Sequence, residues 1–213
     1  MPLGDSITDY GCWRAWIWER FQNDGHSNVD LVGGELAGEN CRNLDFDRDH
    51  EGHPGFPLID IAAKNQLVGW LSQNNADVVT VHLGTVDIVR GTPKVADLIA
   101  ALGKLVDQMR ASNAVMRIII AQIIPQADTN KNRLVQEYNR AIPAFAASKN
   151  ITTSPIWVVD QWTGFSTADL SDGIHAAPTG IQKIADKFYP ALVRAIESIE
   201  NFEETLPGFS PTA

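Results

Sequence analysis

Two stretches near opposite ends of the chain hold residue types that can supply a nucleophile, a base and a partner for the base. Near the start, Met1-Pro2-Leu3-Gly4-Asp5-Ser6-Ile7-Thr8 places a serine in a tight turn after a short apolar lead-in. Far downstream, Asp172-Gly173-Ile174-His175 places an aspartate three residues before a histidine. A serine hydroxyl attacks a carbonyl only when a base takes its proton. The base in turn needs a group that fixes its tautomer and stabilises the imidazolium. Ser6, His175 and Asp172 are candidates for those three parts. Taken singly, each has a plainer reading: Ser6 and Asp172 as caps, and His175 as one surface histidine among five.

Those side chains need elements to position them. The lead-in, the serine turn with its turn-like Thr8-Asp9-Tyr10-Gly11, and an amphipathic stretch over 12–21 read as strand, turn and helix. A helix start offers backbone N–H groups to a developing negative charge. Trp13, Trp16, Ile17 and Phe21 form the helix's apolar face, and one of Trp13, Trp16 and Trp18 is open to a sugar-stacking role. Val29 to Gly34 reads as a second strand ending in a glycine turn. Residues 35–57 are polar and glycine-rich, and read as a long functional loop. Its Asp45-x-Asp47-x-Asp49 spacing resembles the start of a calcium loop, but the later glycine and glutamate are missing, so no metal is expected.

Helical periodicity returns over 59–71, and a buried strand over 77–84 runs into a loop at 85–87. A helix over 95–112 carries an apolar stripe, a strong strand spans 116–124, and a further helix covers 134–148. A strand over 156–160, a loop over 161–178 and a last helix over 179–199 complete the pattern. The alternation predicts an α/β protein: a five-stranded parallel sheet with helices on both faces, a three-layer α/β/α sandwich. One domain is expected over residues 1–200, with 201–213 as a tail or linker stub containing Pro207, Gly208, Ser210 and Pro211. Ligands of such sheets sit outside the carboxyl ends of the strands. The loops there, including 6–9, 33–55, 84–87 and 161–178, carry the unusual residues.

The 213 residues, 44% hydrophobic and 20% charged, suffice for a full core. A net charge of -9 argues against nucleic acid or an anionic membrane as partner. The longest apolar run, around Ile118 to Ile124, is far shorter than the roughly 18 to 20 residues of a membrane span. Cys12 and Cys41 fit either one disulfide in an oxidising compartment or two buried thiols. A bridge would close a loop of roughly 30 residues, worth roughly 3 to 4 kcal/mol. Asn150-Ile151-Thr152 is an N-glycosylation acceptor triplet and a weak pointer to secretion. The serine motif stands so near the first residue that a mature or trimmed form is expected, its leader outside this sequence.

In order and approximate spacing, Gly4-Asp5-Ser6-Ile7, Gly84-Thr85-x-Asp87 and Asp172-x-x-His175 resemble the motifs of the GDSL (SGNH) hydrolases over nearly the whole chain. The extended Leu3-Gly4-Asp5-Ser6-Ile7-Thr8, Glu51-Gly52-His53-Pro54-Gly55 and His82-Leu83-Gly84-Thr85 are similar to the acetyl xylan esterases of carbohydrate esterase family three. The resemblance implies a flavodoxin-like sandwich and release of acetate without a cofactor. It implies Ser6 as nucleophile, His175 as base, Asp172 as its partner, and an oxyanion hole from the N–H groups of Ser6 and Gly55. Gly34, Gly38 and Gly52 lie on the same loop as Gly55. The expected substrate is an acetylated polysaccharide or small acetyl ester, cleaved by a secreted monomer. A lipase- or thioesterase-like activity is the alternative within the superfamily, and a carbohydrate-binding protein with a degenerate site is the alternative outside it.

One departure stands out. The family's third motif reads Gly-x-Asn-Asp, and the asparagine donates to the oxyanion; here Val86 holds that position. Losing one such donor costs about 10²–10³ in kcat. A weakened enzyme or a replacement donor nearby is therefore expected, and Val86→Asn is expected to raise kcat. Asp87 is expected to pin its loop rather than to react. With the resemblance in place, a Cys12–Cys41 disulfide is expected to tie the loop bearing Gly55 to the first helix.

Overall fold

The computed structural model describes residues 1–41 and 45–204. Its sheet contains β1 (Pro2–Gly4), β2 (Glu35–Leu36), β3 (Asp49–Gly52), β4 (Val78–His82), β5 (Arg117–Gln122) and β6 (Ile156–Asp160), in the order β2-β3-β1-β4-β5-β6. The last five in that order pair in parallel. Two-residue β2 adds an antiparallel edge against β3. The sheet thus has six strands where five were expected, and its parallel part keeps five.

The strands take their faces from a period of two. In β5, Ile118 and Ile120 enter one core while Ile119 and Ala121 enter the other. Over the first core lie α3 (Leu58–Ala63), α4 (Gln66–Gln73), α6 (Val95–Ser112) and α7 (Thr129–Lys149). Over the second lie α2 (Trp13–Asn23) and α8 (Pro178–Glu204), where Trp13 stacks on Phe188 at 5.2 Å. Two short helices, α1 (Ser6–Tyr10) and α5 (Thr85–Arg90), follow β1 and β4 directly. The parallel strands, counted in chain order, run 2-1-3-4-5, so the connections diverge between β1 and β4 and leave a crevice at their carboxyl ends.

Several expectations needed correction. Val29 to Gly34 forms no strand; the strand beside β1 is β3, inside the stretch expected to be loop. Residues 29–34 instead run against β3 as irregular chain. Their amides bond to side chains, Leu31 N–H to Asp47 Oδ2 at 2.6 Å and Gly34 N–H to Glu51 Oε2 at 2.9 Å. Gly33 lies so close that an added Cβ would fall 2.1 Å from the His50 carbonyl. The charged run Asp49-His50-Glu51 conceals a strand; two of its side chains bond locally, His50 Nδ1 accepting from Gly52 N–H and Glu51 pairing with His53. The helix expected over 59–71 is two helices, broken at Asn65, whose φ of 54° lies in the left-handed region. Residues 8–10 of the expected turn belong to α1, with Gly11 as its cap, and the loop at 85–87 belongs to α5. The last helix runs on to Glu204, and residues 205–213 of the expected tail lie outside the described residues. Asn150, of the acceptor triplet, is exposed at the end of α7, where its side-chain oxygen accepts from Ile156 N–H.

Candidate active site

The site grows from the junction of β1 and α1. Asp5 caps α1, its Oδ1 accepting from Ile7 N–H at 3.0 Å. Ser6 is therefore the first helical residue, whose own N–H has no intrahelical acceptor. The loop before α8 supplies the second part. Asp172 Oδ1 accepts from the N–H groups of Ile174 and His175 at 2.9 and 2.8 Å, winding the loop into a tight turn. That turn leaves Asp172 Oδ2 2.7 Å from His175 Nδ1, and His175 Nε2 2.8 Å from Ser6 Oγ. The backbone and side-chain bonds from His175 hold the Asp172 carboxyl down to about 2, so it is ionised at any neutral pH. A carboxylate there selects the tautomer with hydrogen on Nδ1, which leaves Nε2 free to take the serine proton.

A third part arrives on the segment after β3. His53 N–H donates to Gly4 O at 2.9 Å, continuing the pairing of β3 with β1. His53-Pro54-Gly55-Phe56 then turns back, with Phe56 N–H bonded to His53 O and Gly55 at a φ of +79°. Proline second and glycine third are the residues a type II turn requires. Gly55 and Ser6 consequently line one cleft of about 340 Å³ with His175, Val86 and Arg90. Gly34, Gly38 and Gly52 do not line it. The turn is held from behind. Buried Glu51 places Oε1 2.6 Å from His53 Nε2, and the His53 ring stacks on Trp70 at 4.1 Å. Asp87 in α5 accepts from Leu58 and Ile59 N–H at 2.7 and 3.1 Å, pinning the start of α3 just beyond the turn. Cys12 and Cys41 are bonded, tying the stretch between β2 and β3 to the start of α2.

A larger hollow of about 400 Å³ lies at the amino ends of β1 and β4 and contains none of these groups. Of the three tryptophans on α2, none lines the cleft; Trp13 is buried and donates to Ile7 O at 3.0 Å. The aromatic ring at the cleft is Tyr10, 64% exposed and 5.5 Å from the His175 ring. It was hidden in a stretch expected to be a turn, and no sequence pattern marks it. Among the described residues no cluster of three His, Cys, Asp or Glu could hold a metal ion. Asp47 spends both oxygens on the N–H groups of Leu31 and Asp49.

A hydroxyl, an imidazole and a carboxylate in relay, at the carboxyl edge of a doubly wound sheet, are the parts that a serine acyl-transferring hydrolase needs. Comparison with known proteins narrows this. The model of the GDSL-like lipase/acylhydrolase family matches residues 3–183. The chain belongs to that family, and it is an esterase. A crystal structure of an acetyl esterase mutant with acetate ion superposes with a TM-score of 0.88 at 34% identity, over 93% of this chain and 98% of that one. A carbohydrate esterase family 3 structure from Talaromyces cellulolyticus gives 0.87 and 34%, over 92% and 97%. A family 3 carbohydrate esterase of Clostridium thermocellum gives 0.77 and 26%, over 92% and 96%. A multidomain esterase of Ruminococcus flavefaciens is 26% identical over 97% of this chain, which spans about 30% of that protein's length.

Proposed function

We propose that the protein is a secreted serine esterase that releases acetate from acetylated carbohydrates. The observation that carries this is the relay itself, Ser6 Oγ to His175 Nε2 at 2.8 Å and His175 Nδ1 to Asp172 Oδ2 at 2.7 Å. Ser6 Oγ bonds to the acetyl carbon as its proton passes to His175 Nε2. The carbonyl pair moves onto oxygen, which the N–H groups of Ser6 and Gly55 receive. The tetrahedral species collapses, and His175 returns the proton to the leaving sugar oxygen. Water, activated by the same imidazole, then releases acetate. The leaving oxygen must lie within reach of His175, so the sugar that bears it lies against Tyr10, whose ring face suits a sugar.

Two observations support the substrate class and the location. The similar structures include an acetyl esterase and two family 3 carbohydrate esterases. The Cys12–Cys41 bond fits an oxidising compartment. We read the chain as acting as a monomer on acetylated xylan or a small acetyl ester. The test is acetate release from p-nitrophenyl acetate and acetylated xylan by wild type and Ser6→Ala. Release from both that disappears in the variant is the expected result. Release from neither above the variant's background would overturn the reading in favour of a binding protein.

A further inference from the structure

The chain lacks the asparagine of its family's third motif, and the structure shows what stands in that place. Val86 lies in the first turn of α5, buried at the cleft beside Ser6 and Gly55. Its isopropyl group donates no hydrogen bond. Side chains on a helix lean toward its amino end, so a residue four positions on covers the surface above its predecessor. Four positions after Val86 stands Arg90, the last residue of α5. Arg90 lines the same cleft. Its Nη2 lies so near Gly55 that a Cβ added to that glycine would fall 2.8 Å from it.

The guanidinium is uncommitted. It offers five N–H donors, yet no hydrogen bond or ion pair joins it to another described residue. Two carboxylates of the site are occupied: Asp87 holds the amides of Leu58 and Ile59, and Asp172 holds His175. A free cation therefore sits beside the expected oxyanion glycine, in a chain whose net charge is -9.

We propose that Arg90 performs the missing asparagine's part. As Ser6 Oγ bonds to the carbonyl carbon, the π pair moves to oxygen, and the Arg90 guanidinium donates to that oxygen alongside the N–H groups of Ser6 and Gly55. Arg90 stays protonated throughout, and the pair returns to carbon when the bond to the leaving alcohol breaks. A full negative charge gains more from a cation than a neutral carbonyl does, so the contact favours the transition state over bound substrate.

The inference rests on the serine-esterase reading above. Its test uses neutral p-nitrophenyl acetate, so that no substrate charge can be attracted. Arg90→Met, Val86→Asn and the double variant are compared with wild type, with Ser6→Ala in the same plates and the Tm of each protein recorded. The expected result is a loss of about 10²-fold in kcat for Arg90→Met, with KM changed less than about 3-fold and Tm unaltered. Val86→Asn is expected to recover about 10-fold or more in the Arg90→Met background and to raise wild type by much less, because the two side chains would serve one oxygen. Three results would overturn the inference: a kcat for Arg90→Met within about 3-fold of wild type, a loss confined to KM, or an equal gain from Val86→Asn in both backgrounds. If wild type is active and Ser6→Ala is not, any of these removes Arg90 alone. If wild type matches Ser6→Ala, the esterase reading falls with it.

Discussion

Asp5, next to Ser6, is a carboxylic acid in the wrong solvent. It is fully buried between β1 and α1. Oδ1 accepts from Ile7 N–H, but Oδ2 has no partner among the described residues. Burial pushes the carboxyl up from 3.8 to about 7, against the pull of the Ile7 amide and of His175. In the unfolded chain it ionises near its ordinary value, so folding takes up a proton between the two. The sign follows: the stability from this group is complete below the unfolded value and is lost as pH rises through the folded one, about 7. Roughly three powers of ten, at about 1.4 kcal/mol each, set a ceiling of about 4 kcal/mol. Asp5→Asn keeps an acceptor for the cap and removes the ionisation. Urea unfolding of both proteins at pH 4 and pH 8 reads the effect, because every other titrating group cancels in the difference. The advantage of the asparagine variant should grow by up to about 4 kcal/mol between those conditions, or about 8–16 °C in Tm. Parallel pH profiles for the two proteins would refute the reasoning, since Asp5 would then be charged and solvated in the native state.

Two further outcomes follow from the structure. The Cys12–Cys41 bond joins residues 29 apart, and Cys12→Ser with Cys41→Ser should cost about 3.5 kcal/mol, seen in calorimetry as a Tm lower by about 7–14 °C; a shift under about 2 °C would deny the loop any part in the unfolded state's entropy. Asp172→Asn still offers an oxygen to the amides of Ile174 and His175, but it can place an NH₂ against Nδ1 and so favours the wrong tautomer. Because the Asp172 side chain is 55% exposed and water can partly substitute, kcat should fall about 10²–10³-fold, short of the ~10⁴ of a buried triad aspartate, with KM little changed.

Where local chemistry and fold agree, the sequence is transparent. The run Arg117-Ile118-Ile119-Ile120-Ala121 is apolar enough for only a buried strand, and the stripe from Leu98 to Met109 admits only a packed helix. The helix over 95–112 is found with those bounds. Ser6, Asp172 and His175 were named as a set from three motifs in order, and the structure brings them together: Ser6 and His175, 169 residues apart in chain, meet at 2.8 Å, with Asp172 2.7 Å from the far side of the ring. Gly55 was named only through the family resemblance, among four glycines of one stretch; the Pro-Gly turn that brings it to the cleft is seen in the structure. What stayed hidden is polar and local. Asp49-His50-Glu51 has poor strand propensity, yet it pairs with β1 while His50 Nδ1 accepts from Gly52 N–H and Glu51 bonds to His53.

The same concealment explains why α5 matters. Read as a loop, Thr85-Val86-Asp87 has no periodicity, and nothing connects Val86 with a residue four positions on. Read as a helix, one turn performs two tasks. Asp87 reaches across to the amides of Leu58 and Ile59 and fixes the turn that presents Gly55, while Arg90 swings back over Val86 to the same glycine. A loss at Val86 can then be answered from within one rigid element without moving the strand, the serine or the Gly55 turn. A substitution that unwound α5 would disturb both tasks together. Proteins depart from local rules chiefly at their sites, where neighbouring structure compensates. Here the departure and the compensating side chain are one helical turn apart.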